Sequence, residues 1–309
     1  MVRWITGSFL TPRFLVVVLA GVLMALGIAQ LRDVPMTAVA QQSQPAVKEF
    51  EDFNPKNFSQ PTQVDNPWLP LKPGTQLVFK GLTLDDSGKR VPHRVVFTVT
   101  DLTKVVAGVR TVVALEQDFS GGELAEKEII FFAEDDQGTV WHLGQYPEVY
   151  ENGKLIEAPA WIHGFEDAKA GIMMMAEPRI GTPSYAQGWA PAVNWTDRGM
   201  VYQAGLKTCV PLKCYEDVLV IDETTKEEPG VHHHKYYARG VGNVRVGWKG
   251  EGDKTQETLE LVEHVQLGPE ALAKVRTEAL EMEKRAYKIS KNVYVHTPPA
   301  EHTPGAKGQ

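Results

Sequence analysis

The sequence has little cysteine, no excess of basic residues, and none of the short motifs that mark common enzyme sites. Its 309 residues include two cysteines, which excludes a disulfide-dense miniprotein and an all-cysteine zinc site. The net charge of −7 argues against a nucleic-acid partner, since nucleic-acid-binding surfaces are basic. The Gly-x-Ser-x-Gly, His-Glu-x-x-His and Gly-x-x-x-x-Gly-Lys patterns are missing. We therefore expect no nucleic-acid binding and a protein that is not an enzyme, with an unrecognised hydrolase as an open alternative.

Residues 1–40 form a segment unlike the rest of the chain. Arginines flank an uncharged apolar stretch at 14–29, which covers roughly 24 Å as a helix. With its neighbours it predicts a short or tilted membrane span through residues 13–31, with the bulk of the chain outside the cytoplasm. A cleaved signal peptide has the same flanks. Anchored and secreted forms therefore both stay open, and both export residues 41–309 to the periplasm or the extracellular space.

The exported part is predicted to be mainly β. Residues 41–74 are typical of a linker and lead-in, and from 75 to 267 short β-rich runs alternate with turn residues. About ten to twelve strands with short connections predict antiparallel pairing. The expected fold is a curved sheet, a half-barrel or a sandwich. Residues 159–199 interrupt the pattern, and we expect them to cover an open end or cap a core.

The C-terminal part changes character at residue 268. Pro269 at a first helical turn and apolar residues at helical spacing predict an amphipathic helix over 269–289, within a segment 268–290. This helix is a candidate docking surface for a partner protein. We expect residues 291–309 to be a disordered tail. Residues 41–268 carry 22 basic and 33 acidic residues, so cations are the partners that this part favours.

Residues 1–36 resemble the first membrane helix of a heavy-metal efflux pump of the resistance-nodulation-division superfamily. The resemblance is carried by Met1–Ile5, Arg13–Ala20 and Leu31–Pro35. It implies an uncleaved anchor and a metal-resistance setting. The family's other helices and its proton-relay acids are missing, so the chain is not a pump.

Residues 66–263 resemble uncharacterised secreted proteins of bacteria, common in actinobacteria. The matching stretches are Asn66–Thr75, Thr103–Val109 and His234–Gly242. That family has no assigned activity, so the resemblance implies a fold and no mechanism.

Cys209 and Cys214 flank four residues that suit a hairpin connection. Facing positions across such a hairpin can meet disulfide geometry, and export into an oxidising compartment favours the bond. We predict a disulfide. Two free thiols and a soft-metal site are the alternatives.

A run of three histidines, 232–234, gives the main hint of chemistry. On a strand His232 and His234 point to one side and His233 to the other. The His232–His234 pair is a workable start for a zinc or copper site. A third ligand would have to come from His163, His142, His93 or Glu228. The alternative is a polar patch on an edge strand.

Met173, Met174 and Met175 could offer thioethers to Cu(I). The same segment contains Trp161, Trp189 and Trp195, which favours a role for the methionines as adaptable packing residues instead. Taken together, the sequence predicts an extracytoplasmic, non-enzymatic binding or assembly module for an apolar or peptide ligand. The alternative is a copper- or zinc-binding accessory protein.

Overall fold

The structure is a computed structural model that describes residues 48–302. The predicted anchor or signal segment, residues 1–40, lies outside the described residues, as do residues 41–47 and 303–309. Over the described range, no helix has both the length and the apolar character needed to cross a membrane.

Sixteen strands and two helices make up the described part. The first eight strands are β1 (Thr75–Leu84), β2 (Arg90–Val106), β3 (Val109–Ser120), β4 (Glu123–Glu134), β5 (Val140–Glu151), β6 (Lys154–Glu157), β7 (Trp161–Ile162) and β8 (Lys169–Met174). The others are β9 (Tyr185–Ala186), β10 (Gly188–Trp189), β11 (Arg198–Cys209), β12 (Cys214–Thr224), β13 (His232–Ala238), β14 (Gly242–Lys249), β15 (Thr258–Gln266) and β16 (Glu301–His302). The helices are α1 (Pro269–Ile289) and α2 (Lys291–Tyr294), with 3-10 turns at Pro55–Asn57 and Pro191–Val193.

The strands form one antiparallel sheet, in the order β10-β8-β5-β4-β3-β2-β1-β15-β14-β13-β12-β11-β9. The two ends of this order belong to one short stretch of chain: β9 pairs with β11, β10 pairs with β8, and Gln187 lies between them. This stretch joins the two edges, so the sheet is nearly closed and barrel-like. The predicted mainly β, antiparallel architecture is confirmed, but the sheet is more nearly closed than the predicted half-barrel. Over the described residues it has sixteen strands instead of the predicted ten to twelve, because five of them have only two to four residues, too few to show an alternating pattern.

The segment 159–199 supplies this closure. Trp161 and Trp195 are buried against each other, with ring centroids 5.7 Å apart. Gly188 is required beside them, because a Cβ atom there would lie 2.3 Å from the Trp195 indole nitrogen. The predicted covering role of the segment thus has a definite form: it seals the seam of the sheet.

Side chains alternate between the inside of the sheet and its outer face. In β3, Val112 and Ala114 point inward and join a core cluster with residues of most other long strands. Val113 and Leu115 point outward into a second cluster that includes α1. The strand alternation therefore builds two cores on opposite sides of the same strands.

Helix α1 covers the outer face of β2 and β4. Its residues Ala279, Met282 and Ala286 are buried there. The amphipathic helix is thus where the sequence predicts it, and its apolar face is occupied by the protein's own sheet. A partner protein would have to contact the polar face of the helix.

The lead-in and part of the C-terminal tail both pack on the sheet. In the lead-in, Trp68 and Leu71 are buried in the inner cluster. The prediction of disorder over 291–309 is wrong for residues 291–302. There α2 buries Tyr294 among aromatic rings, and β16 pairs with β2. The apolar residues of this tail have no helical or strand period, so pattern alone does not reveal that they pack.

Candidate binding site inside the sheet

The inside of the sheet holds a cavity of about 30 Å³, which is room for one or two water molecules. Most of its wall is apolar, and the part formed by Glu116 and Lys235, which interact electrostatically, is ionisable. The lining residues are Leu69, Leu77, Phe79, Phe97, Glu116, Phe132, Met173, Lys235, Tyr237 and Asn243. The cavity therefore offers an apolar pocket with a charged end.

Carboxylates dominate the charged end. Glu116 of β3 lies opposite Glu128 of β4 in the strand register, and both are buried. Burial raises the pKa of Glu116 to about 7, and Asp118 adds repulsion. Burial also raises the pKa of Glu128 well above its ordinary value. Among the described residues, neither carboxylate oxygen of Glu128 has a hydrogen-bond partner. This end of the cavity is therefore short of positive charge.

Lys235 is the cation at the centre of this region. Its ammonium lies 2.6 Å from Glu223 Oε2, and both side chains are buried. Burial alone would lower the pKa of Lys235, but the nearby carboxylates of Glu223, Glu257 and Glu116 raise it above its ordinary value. The lysine is therefore charged, and it is shared among several acids.

A second group of ionisable residues lies within the same interior. His93 Nε2 is 2.8 Å from Asp118 Oδ1, and His93 Nδ1 is 3.4 Å from Glu257 Oε1. Although burial disfavours the charged ring, the two carboxylates raise the pKa of His93 above its ordinary value. The imidazole is thus held between two acids.

The loop that presents Glu257 is fixed by Asp253. The Asp253 carboxylate accepts hydrogen bonds from the backbone N–H groups of Thr255 and Gln256. It also lies 3.2 Å from His233 Nε2. His233 is therefore the histidine of the run that faces the interior, where it holds the loop next to the buried acids.

His232 and His234 are on the opposite side of β13, as the strand alternation predicts. Asp222 lies between them, with its carboxylate oxygens 2.9 Å from His232 Nδ1 and 3.5 Å from His234 Nε2. Tyr202 stacks on the His234 ring, with centroids 4.6 Å apart. Asp222 is thus a carboxylate in contact with both histidines. Sequence reasoning did not select it, because its position opposite His234 depends on the register of β12 and β13.

The four other residues considered as third ligands have different surroundings. His163 Nδ1 accepts from the backbone N–H of Ala170, and its ring packs on Phe53. His142 is buried against Trp161, and burial lowers its pKa to about 3. The other two are His93, described above, and Glu228, whose backbone carbonyl accepts from Val231 in the turn before β13. The metal prediction for the His232–His234 pair with His163 stays a prediction.

Two other predictions have direct structural outcomes. Cys209 and Cys214 form a disulfide at the end of the β11–β12 hairpin, which confirms that prediction. Met173 and Met174 are buried in the inner cluster, where they pack against apolar side chains, as the favoured packing prediction expected.

No protein-family model matches the chain, and no curated protein matches it. A solved structure from Bacteroides fragilis, described as a candidate exported protein with a YmcC-like fold, is similar with a TM-score of 0.37 and 13% identity. The similar region spans 64% of this chain and 98% of the Bacteroides fragilis chain. A candidate lipoprotein from Parabacteroides distasonis has a TM-score of 0.33 and 12% identity, and covers 65% of this chain and 99% of its own. Similarity this distant assigns neither an activity nor a location.

Proposed function

We propose that the protein is an exported, non-enzymatic binding module that takes a small amphipathic molecule into the inside of its sheet. The observation that carries the proposal is the cavity with an apolar wall and a charged end at Glu116 and Lys235. Small-molecule sites are concave and mostly apolar, with few polar groups that fix orientation. This cavity has that composition.

The charge of the ligand follows from the acids. Glu116, Glu128, Glu223 and Glu257 all lie in the electrostatic range of a single lysine, Lys235. A cationic or neutral polar group is therefore favoured over an anion. The ligand class is a short alkyl chain with an amine at one end. The closed cavity has room for one or two water molecules, so a ligand of this class requires the wall to move apart. Met173 in the wall supplies a flexible side chain that can move as the ligand enters.

Export is supported by two independent features of the chain. The apolar stretch at 14–29 with its arginines has the pattern of an anchor or signal segment. The disulfide between Cys209 and Cys214 is of a kind that persists in oxidising compartments.

Calorimetric titration of the full-length protein with hexylamine, hexanol and hexanoate tests the binding proposal. We expect hexylamine to bind at least 10-fold more tightly than hexanoate. Leu77→Trp should abolish binding, because Leu77 lines the cavity. Leu82→Trp is the matched control: the same substitution in the same strand, at a residue whose side chain is exposed.

No binding of hexylamine, tighter binding of hexanoate, or equal loss in the two tryptophan variants would contradict the proposal. If Leu77→Trp does not fold, Glu116→Gln provides the second test. It should reduce the preference for hexylamine over hexanol while leaving the affinity for hexanol unchanged.

A second candidate function is metal binding at the outer face of β13. The observation that favours it is Asp222, whose carboxylate contacts both His232 and His234. Titration with Cu(II) and Zn(II) should show binding that is lost in the His232→Ala/His234→Ala double variant. Unchanged binding in that variant would exclude this face as the site.

A further inference from the structure

Three side chains with metal-binding atoms meet inside the sheet, away from the His232–His234 pair. His93 comes from β2, Asp118 from β3, and Glu257 from the residue before β15. One nitrogen or oxygen atom from each lies within 4.8 Å of the others. Within residues 48–302, this is the one group of three or more His, Cys, Asp or Glu residues with such spacing.

The atoms that face each other in this group lack ordinary partners. His93 Nδ1 and both carboxylate oxygens of Glu257 are buried, and none has a hydrogen-bond partner in the described part of the chain. The distance between Nδ1 and Glu257 Oε1 is 3.4 Å. Direct N–H···O hydrogen bonds are shorter, at about 2.7–3.2 Å. Two ligands bound to one tetrahedral zinc ion at about 2.0–2.2 Å are themselves about 3.4 Å apart.

The other side of the imidazole has the contact that metal-binding histidines usually make. His93 Nε2 lies 2.8 Å from Asp118 Oδ1. A histidine that binds a metal through one nitrogen commonly donates its second N–H to a carboxylate, which fixes the ring and its tautomer. Asp118 is placed for this role. It is a positioning residue, while His93 and Glu257 face the ion.

The geometry points to a divalent metal site between His93 and Glu257, oriented by Asp118. Glu116 lies near Glu257 and adds negative charge, which a divalent cation compensates better than Lys235 alone. Imidazole and carboxylate ligands suit Zn²⁺ and similar divalent ions, whereas Cu(I) prefers sulfur. This inference does not depend on amine binding, so either proposal can fail without the other.

The test uses the full-length His232→Ala/His234→Ala protein, which removes the outer histidine pair and leaves the interior group intact. After chelator treatment, we expect this protein to bind one Zn(II) or Co(II) per chain with Kd below about 1 µM, an affinity equivalent to about 8 kcal/mol. Adding Glu257→Gln or His93→Gln should weaken binding at least 100-fold. Adding Asp118→Asn should weaken it by about 10–100-fold, as expected for a residue that acts through a ligand.

The proposal is overturned if the double variant binds no metal tighter than about 10 µM, or if Glu257→Gln has no effect in that background. A further measurement needs no interior variant. In the Co(II) form, the proton NMR spectrum should contain one paramagnetically shifted imidazole N–H that exchanges slowly, because Asp118 accepts its hydrogen bond. Absence of that signal at full Co(II) occupancy would also overturn the proposal.

Discussion

Lys104 and Lys235 are both fully buried, but on opposite sides of the sheet. Lys104 lies under α1 and pairs with Glu283 at 2.7 Å, whereas Lys235 lies inside the sheet and pairs with Glu223 at 2.6 Å. Burial lowers the pKa of Lys104, and Glu283 offsets only part of that effect. The pKa of Lys235 is raised, since several carboxylates surround it.

The difference shows that the two cores balance a buried lysine with different numbers of carboxylates. On the outer face, Lys104 of the Lys104–Glu283 pair lies among the aromatic rings of Phe131, Tyr287 and Tyr294. Inside the sheet, acids outnumber the cation. The buried lysine of the outer core is thus matched by one carboxylate, whereas the inner core has more carboxylates than its lysine can neutralise, which is the basis of the proposal that it binds a cation.

Replacing each lysine by methionine should have the largest effect, and it tests the difference between the two cores directly. Lys235→Met should lower the free energy of unfolding by about 3–5 kcal/mol, because it leaves buried carboxylates without their counter-ion. Lys104→Met should cost less, about 1–3 kcal/mol, because Glu283 keeps its hydrogen bonds from the backbone N–H of Ala300. Urea unfolding at pH 7 measures both. A larger loss in Lys104→Met would contradict the contrast.

The pH dependence of stability should have opposite signs on the two faces. The raised pKa of Glu116, about 7, means that the folded state binds a proton more tightly than the unfolded state does. Protonated Glu116 therefore adds its full contribution to the free energy of unfolding below about pH 4.5. That contribution falls by about 3 kcal/mol as the pH rises through 7 and the proton is lost. Glu116→Gln should make this decline smaller in urea-unfolding curves recorded between pH 4.5 and 8, and Glu128, whose pKa is raised by the same burial, accounts for the part that stays.

Glu148→Gln is the matched change on the outer face. Burial would raise the pKa of Glu148, but hydrogen bonds from Arg285, Tyr150 and Tyr146 lower it. Its contribution is therefore present above the ordinary pKa of a glutamate, about 4.3–4.5, and is lost as the pH falls through the lowered pKa of the folded state. Glu148→Gln should destabilise the protein at pH 7 and have little effect in acid. The assignment of the two faces would be contradicted if both variants changed the pH dependence of the free energy of unfolding in the same direction.

Removing the disulfide should have the smallest effect and serves as a reference outside both cores. The Cys209→Ser/Cys214→Ser variant should lose about 2 kcal/mol of stability, since the closed loop is short. Its affinities for hexylamine and for metal should not change. A lower affinity for hexylamine or for metal in this variant would contradict the prediction, because it would mean that the end of the hairpin contributes to the interior site.

The sequence predicts part of this arrangement for clear physical reasons. The spacing of Cys209 and Cys214 predicts their bond, and the helical spacing after Pro269 predicts α1. The alternation in β13 separates His232 and His234 from His233. These features depend on neighbouring residues, so a local pattern is sufficient to find them.

The interior acids could not be predicted in the same way. The residues before Glu116 in β3, Val112 to Leu115, are apolar on both faces, because both faces are buried. Alternation therefore does not say which side is enclosed, and an acid in such a strand is expected at the surface. Glu257 follows a turn in which Gln256 has a positive φ of 45°, and its place beside His93 depends on the pairing of two strands that are far apart in the sequence.

That pairing joins β1 to β15, from Thr75 opposite Gln266 to Leu82 opposite Thr258. Such non-local contacts form slowly, because a long loop must close before they can form. His93 and Asp118 lie on neighbouring strands, β2 and β3, but Glu257 reaches them only when β15 docks. Until that step, the acids of the inner face remain hydrated and open to dissolved ions. For the cation proposed above, we therefore expect loading to depend on the docking of β15: an ion present at that step is enclosed, and one that arrives later must wait for the sheet to open.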